Sequence, residues 1–154
     1  MRFRLLVPRR FQDELLTHAR RELPNECCGL LAGKVTTDHK GESVARVERC
    51  FPLINAAASP VEYLSDAHSM FAAVRGMRAP ELEILAVYHS HPTSHPVPSG
   101  TDLDRNYSEE VINFIISLAG DRPEIRAWWL KPDDYAEADW EWIEDDVEKT
   151  SGDG

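Results

Sequence analysis

The sequence predicts a mixed domain of the α/β (α+β) kind, a curved and largely antiparallel sheet flanked by helices, and three observations carry this reading. Short apolar, β-branched runs recur at Arg2–Val7, Glu26–Gly33, Ser43–Phe51, Glu83–His89, Val111–Ala119 and Ile125–Leu130, with the length and composition of strands. Two segments between them, 11–23 and 67–77, place apolar residues at helical spacing. Two pairs of runs follow one another with no helix between them, which suits antiparallel hairpins.

Taken in order, Arg2–Val7 is the first strand. Pro8 suits the first turn of a helix whose stripe is Phe11, Leu15, Leu16, Ala19 and Leu23. Pro24-Asn25 ends it, and Glu26 is the one charge at the mouth of the next, glycine-containing strand. Asp38–Gly41 is a polar turn into Ser43–Phe51. Ser65 is the expected N-cap of a second helix with the stripe Ala67, Met70, Phe71, Val74 and Met77. His18 and His68 fall within these helices and are expected to be solvated or satisfied by neighbours rather than to bind metal. After Glu83–His89 a proline-rich loop leads to a short helix over Leu103–Glu110, then two strands, with Trp140–Ile143 as a last edge strand.

Composition narrows the classes. With 154 residues, 42% of them hydrophobic, and no apolar stretch near membrane-spanning length, one soluble domain is expected, over residues 1–145. From Asp133 to Glu148 there are nine acids and no base, so 146–154 is expected to be a disordered acidic tail. A net charge of -10 argues against nucleic acid as a partner, and no membrane association is indicated. The apolar run at the N-terminus is too short for a signal peptide, so a cytoplasmic location is expected. Cys27, Cys28 and Cys50 suggest neither a disulfide framework nor a Cys-x-x-Cys metal knuckle; they read as buried small apolar residues.

The chemistry concentrates in Tyr88-His89-Ser90-His91-Pro92 and the loop after it. Residues two apart in a strand share a face, so His89 and His91 present two imidazoles side by side at the strand's end. Ser99-Gly100-Thr101-Asp102 reads as the start of a helix that brings Asp102 back toward them. Two histidines and one carboxylate would leave a fourth tetrahedral position open, as in a catalytic zinc site. A bare His-x-His pair is also compatible with a strand end that binds nothing. The zincin pattern His-Glu-x-x-His is absent, as is the deaminase His-x-Glu with a later Pro-Cys-x-x-Cys.

The fuller pattern of Glu26, His89, His91, Ser99 and Asp102, with Pro92, Pro98 and the Asn55, Ser59-Pro60, Tyr63, Asp66 segment, resembles the JAMM (MPN-plus, Mov34/Pad1-like) zinc metalloproteases, from about Arg2 to Ile143. The resemblance implies an MPN/JAB-like single domain, related to the cytidine-deaminase-like architecture. It implies Zn²⁺ held by His89, His91 and Asp102, Glu26 as the base toward a zinc-activated water, and Ser99 as a donor to the carbonyl oxygen. Glu26 as a solvated turn residue and Ser99 as a helix cap are the plain alternatives. Ser90, on the opposite strand face, is expected to be structural. His95 is expected to be an exposed loop residue, with a metal position as its alternative, and Thr93–Val97 to be a mobile segment that covers the site.

The family resemblance further implies hydrolysis of an amide bond at the C-terminal tail of a ubiquitin-like protein. The chain is close to a minimal core and looks more like the prokaryotic members that process ubiquitin-like sulfur carriers with a Gly-Gly tail, including peptidases that release cysteine from such a carrier. Removal of a modifier from lysines is the next reading. A non-catalytic MPN scaffold, or a binding module for a ubiquitin-like partner, is the alternative outside enzymes. The sequence does not fix the oligomeric state.

Overall fold

The computed structural model describes residues 2–106 and 108–145. Its elements are β1 (Arg4–Pro8), α1 (Phe11–Arg21), β2 (Cys28–Thr37), β3 (Ser43–Leu53), α2 (Ala67–Arg78), β4 (Glu83–His91), α3 (Gly100–Asp104), β5 (Ile112–Ser117), β6 (Glu124–Lys131), β7 (Asp134–Glu137) and β8 (Trp140–Ile143). All eight strands join one sheet in the order β7-β6-β5-β4-β2-β3-β1-β8. Antiparallel pairing holds for β2 with β3 and β4, and for β6 with β5 and β7; β4 with β5 and β1 with β3 and β8 are parallel. The mixed, largely antiparallel α+β architecture expected from the sequence is the one observed.

β4 lies mid-sheet, and its residues from Leu85 to His91 are all buried. A strand covered on both faces loses the polar alternation of a half-exposed one, which is why this run is apolar up to its histidines. Its register sets two layers. Cys28 pairs with His89 and Leu30 with Val87, so these side chains share a face. There they pack with Ala32, Leu53 and, from α2, Ala73 and Met77. On the other face Leu31, Tyr88, Phe114 and Trp129 pack with Phe11, Leu15 and Ala19 of α1. Tyr88 lies across Gly29, where a Cβ would overlap its ring, so that position admits only glycine.

Several elements differ from the sequence expectation. Pro8 closes β1, where it pairs with Ile143, and the helix starts only at Phe11. The helix stops at Arg21, leaving Leu23 47% exposed. The N-cap of α2 is Asp66, whose carboxylate accepts from the Ser69 N–H at 3.0 Å, and not Ser65. In α2 the contact with the sheet runs through the small Ala73 and through Met77, so Phe71 and Val74 of the expected stripe are exposed. The helix expected over 103–110 is the single turn Gly100–Asp104. Beyond it Asn106 turns its amide to the Ser108 and Leu130 carbonyls, a side chain to backbone pairing that replaces helical bonds. The acidic run after Asp133 contains the unexpected edge strand β7, where Glu137 meets Arg126 in a two-pronged ion pair at 2.8 and 2.9 Å. β8 is an edge strand, as expected. The expected acidic tail at 146–154 lies outside the described residues. No helix among the described residues is long and apolar enough to cross a membrane.

Candidate active site

The site is built at the C-terminal end of β4, where its two histidines emerge on the α2 side of the sheet. The loop after Pro92 returns through a capping box at the start of α3: Ser99 Oγ accepts from the Asp102 N–H at 3.1 Å, and the Ser99 N–H donates to Asp102 Oδ2 at 2.9 Å. The cap therefore aims the Asp102 carboxylate at the strand end. Asp102 Oδ2 lies 3.2 Å from Nε2 of both His89 and His91, and the two Nε2 atoms are themselves 3.2 Å apart. All three residues are buried.

Each ring is held from outside the triad. His91 Nδ1 sits 2.8 Å from the His95 carbonyl, an acceptor only, so Nδ1 carries the proton. In the neutral ring that leaves the Nε2 lone pair facing the centre. His89 stacks on Tyr63 with ring centroids 4.8 Å apart and planes 28° from parallel.

Two imidazole Nε2 atoms and a carboxylate oxygen thus converge in a buried volume, an arrangement that favours positive charge at its middle. Burial opposes a charge on His91, but its bonds to Asp102 and the His95 carbonyl outweigh burial and raise its pKa. Burial also opposes the Asp102 carboxylate; electrostatic attraction to the His89 ring, pairing with both imidazoles and the Ser99 N–H prevail and hold it well below the usual carboxylate range. Two imidazole nitrogens and one ionised carboxylate oxygen, all within 4.8 Å of one another, fit a divalent metal ion with a further position open.

Glu26 precedes β2 and is 3% exposed. Its backbone is held on both sides: its N–H donates to the Ser59 carbonyl at 2.8 Å and its carbonyl accepts from Asn55 Nδ2 at 3.0 Å. Asn55 also binds the Glu62 carbonyl and the Ala57 and Leu64 N–H groups, folding the 55–64 loop onto this strand end. From the opposite face Ser90 Oγ accepts from the Cys27 N–H at 2.8 Å. With the backbone so fixed, the Glu26 side chain projects inward, and its buried Oε1 has no hydrogen-bond partner among the described residues. Burial raises its pKa to about 8, moderated by His91 and reinforced by Asp102 and Glu62, so the carboxylate feels the triad. Such a group accepts and returns a proton near neutral pH.

The five residues singled out in the sequence therefore gather at one strand end, with Ser99 tied to Asp102. His18 and His68 do not join them. His18 Nδ1 pairs with the Tyr88 hydroxyl at 2.7 Å on the other face, and His68 is exposed. The His95 side chain is exposed, while its carbonyl orients His91. Within the segment expected to cover the site, Thr93, Ser94 and His95 are exposed and Pro96 is buried, and the Ser94 and Pro96 carbonyls accept from Ser117 of β5 and Trp128 of β6. Backbone carbonyls leave no residue-type signal, so this support was invisible in the sequence; Asn55 and Tyr63 carried only their place in the family-like segment.

Residues 8–131 match the family described as prokaryotic homologs of the JAB domain. The chain belongs to this family. Among solved structures, this JAB-domain chain is similar to the solution structure of protein DSY2949 from Desulfitobacterium hafniense, with a TM-score of 0.79 and 32% identity over 92% of this chain and 94% of that one. Among curated relatives it is 37% identical over 100 residues to the "Probable TtuB-protein conjugate cleaving protease" of Thermus thermophilus, covering 64% of this chain and 61% of that protein, less than two thirds of its length. It is 33% identical over 118 residues to the "CysO-cysteine peptidase" of Mycobacterium bovis, covering 75% of each chain.

Proposed function

We propose that this JAB-domain chain is a zinc-dependent peptidase that hydrolyses an amide bond at the C-terminal tail of a ubiquitin-like or sulfur-carrier protein. The observation that carries this reading is the buried convergence of His89, His91 and Asp102, with spacings of 3.2 Å, beside a buried carboxylate oxygen of Glu26 that has no hydrogen-bond partner among the described residues. Zinc, when bound by these three, supplies the positive charge that acidifies water and polarises the scissile carbonyl.

The chain's own residues then divide the work. Glu26 takes a proton from the attacking water and returns it to the leaving amine, a role suited to a carboxyl raised to about 8 by burial. The Ser99 hydroxyl already accepts from the Asp102 N–H, so its proton is available to the developing oxyanion. Cap and donor are thus compatible roles for one side chain. Asp102 stays ionised against burial because both imidazoles and the Ser99 N–H hold it.

The substrate class is supported by the two relatives' names, one a conjugate-cleaving protease and one a peptidase acting on CysO-cysteine. An extended Gly-Gly tail suits delivery of its last carbonyl to a strand-end site, because no side chain has to pass. A cytoplasmic location accords with three free cysteines, two of them fully buried.

The test is to incubate zinc-loaded protein with a ubiquitin-like sulfur carrier bearing either a C-terminal cysteine or a lysine-linked partner, reading intact mass with and without chelator. Loss of the added group only when zinc is present is expected, and the adduct preferred separates carrier processing from modifier removal. Intact adducts after incubation with zinc-loaded protein that binds the carrier would replace this reading with a binding module.

A further inference from the structure

Three successive carbonyls of the loop after β4 are each received by a different neighbouring strand. The Ser94 carbonyl accepts from Ser117 Oγ of β5 at 2.6 Å, that of His95 from His91 Nδ1 of β4 at 2.8 Å, and that of Pro96 from the Trp128 indole N–H of β6 at 2.8 Å. The middle contact sets the tautomer of a triad histidine. The outer two fix the backbone on either side of it. The Ser117 hydroxyl is itself oriented by accepting from the Ala119 N–H at 3.2 Å. The Leu118 N–H, one residue past β5, donates to the His91 carbonyl at 3.1 Å, so the end of β5 and the residue after it hold the chain at His91 and at Ser94.

Packing alone does not explain these two side chains. Trp128 and Ser117 are both buried, and Val97 and Leu103 close over Ile115, Trp128 and Leu130. A leucine or phenylalanine would fill that layer. An indole carries in addition a buried N–H that must find an acceptor, and here the acceptor is the carbonyl next to the one that orients His91. Of the loop residues flanking His95, Pro96 has no N–H and cannot help hold the turn through a backbone donor. The next backbone donor, the Val97 N–H, closes the turn on the His95 carbonyl at 2.8 Å, and side-chain donors from β5 and β6 hold the carbonyls on either side of it.

We propose that Ser117 and Trp128 are positioning residues for the metal centre, holding the 94–96 backbone so that the His95 carbonyl keeps the His91 Nε2 lone pair aimed at the ion. This rests on the zinc reading of the triad. It extends the site to two strands that contribute no ligand, and it gives the proline-rich loop the job of a brace.

The test compares wild type, Ser117→Ala, Ser117→Thr and Trp128→Phe in competition for zinc with a chromophoric chelator, alongside thermal unfolding of the metal-free forms. Ser117→Ala and Trp128→Phe are each expected to weaken zinc binding about tenfold, the lower end of what outer-shell partners of metal ligands contribute, while Ser117→Thr, which keeps the hydroxyl, restores it. Ser117→Ala carries the result if Trp128→Phe does not fold. Metal-free proteins that melt earlier yet bind zinc as tightly as wild type would show a purely structural role and overturn the inference alone. Absence of zinc binding by the wild type would overturn the metal-centre reading, and this inference with it.

Discussion

Alternate residues of β4 face two different chemistries. On the α1 side, the fully buried side chains of Tyr88 and Ser90 each find a partner: the Tyr88 hydroxyl meets His18, and Ser90 Oγ accepts from the Cys27 N–H. On the α2 side, one residue along the strand, His89 and His91 crowd their Nε2 atoms against each other and against Asp102, and neither His89 Nδ1 nor Glu26 Oε1, both buried, has a hydrogen-bond partner among the described residues. Burial of an unpaired polar atom costs about 1–3 kcal/mol, more for a charged one, and folded chains rarely keep it without a use. One face of the strand is finished by folding. The other is left with clustered polar atoms that an added cation would satisfy.

The largest expected effect removes the base and leaves the ligands. Glu26→Gln should lower kcat on a carrier adduct by about a thousandfold, within the range of general acid-base catalysis, with zinc affinity unchanged in a chelator competition. A parallel loss of zinc would instead make Glu26 a ligand. Ser99→Ala comes next, with a fall in kcat of about a hundredfold from loss of the oxyanion donor, and about 1 kcal/mol of stability lost with the helix cap in denaturant unfolding.

How much of this was legible follows from which interactions leave a residue-type signature. The pairing of His89 with His91 follows from the two-residue period of a strand, and the return of Asp102 from the cap signal at Ser99. Phe71 and Val74 misled because helical spacing marks an apolar stripe but not which part of it the sheet can reach; α2 approaches through Ala73. β7 was hidden by its acids, since an edge strand can face them outward. Nor could the grip of Ser117 and Trp128 on loop carbonyls be read, because every residue has a carbonyl.

Smaller effects probe the finished face. Gly29→Ala should destabilise the fold by roughly 1–3 kcal/mol, because the new Cβ would overlap the Tyr88 ring; urea unfolding measures it. Smallest is a pH effect at His18, whose pKa is lowered by burial, against a raising influence from Glu22 and a further lowering from Arg21. Since the unfolded chain binds the proton more readily, its contribution is present above the model-peptide pKa of 6.5 and declines as pH falls through and below it. His18→Gln should flatten that slope in unfolding midpoints taken from pH 8 to pH 5.

The most direct measurement is calorimetric titration of the metal-free chain with zinc, for wild type, His89→Ala, Asp102→Ala and Glu26→Gln. One zinc per chain is expected in wild type and Glu26→Gln, with binding lost in the two ligand variants. Undiminished binding in His89→Ala and Asp102→Ala, or none in the wild type, would contradict the account of this strand end as a metal centre.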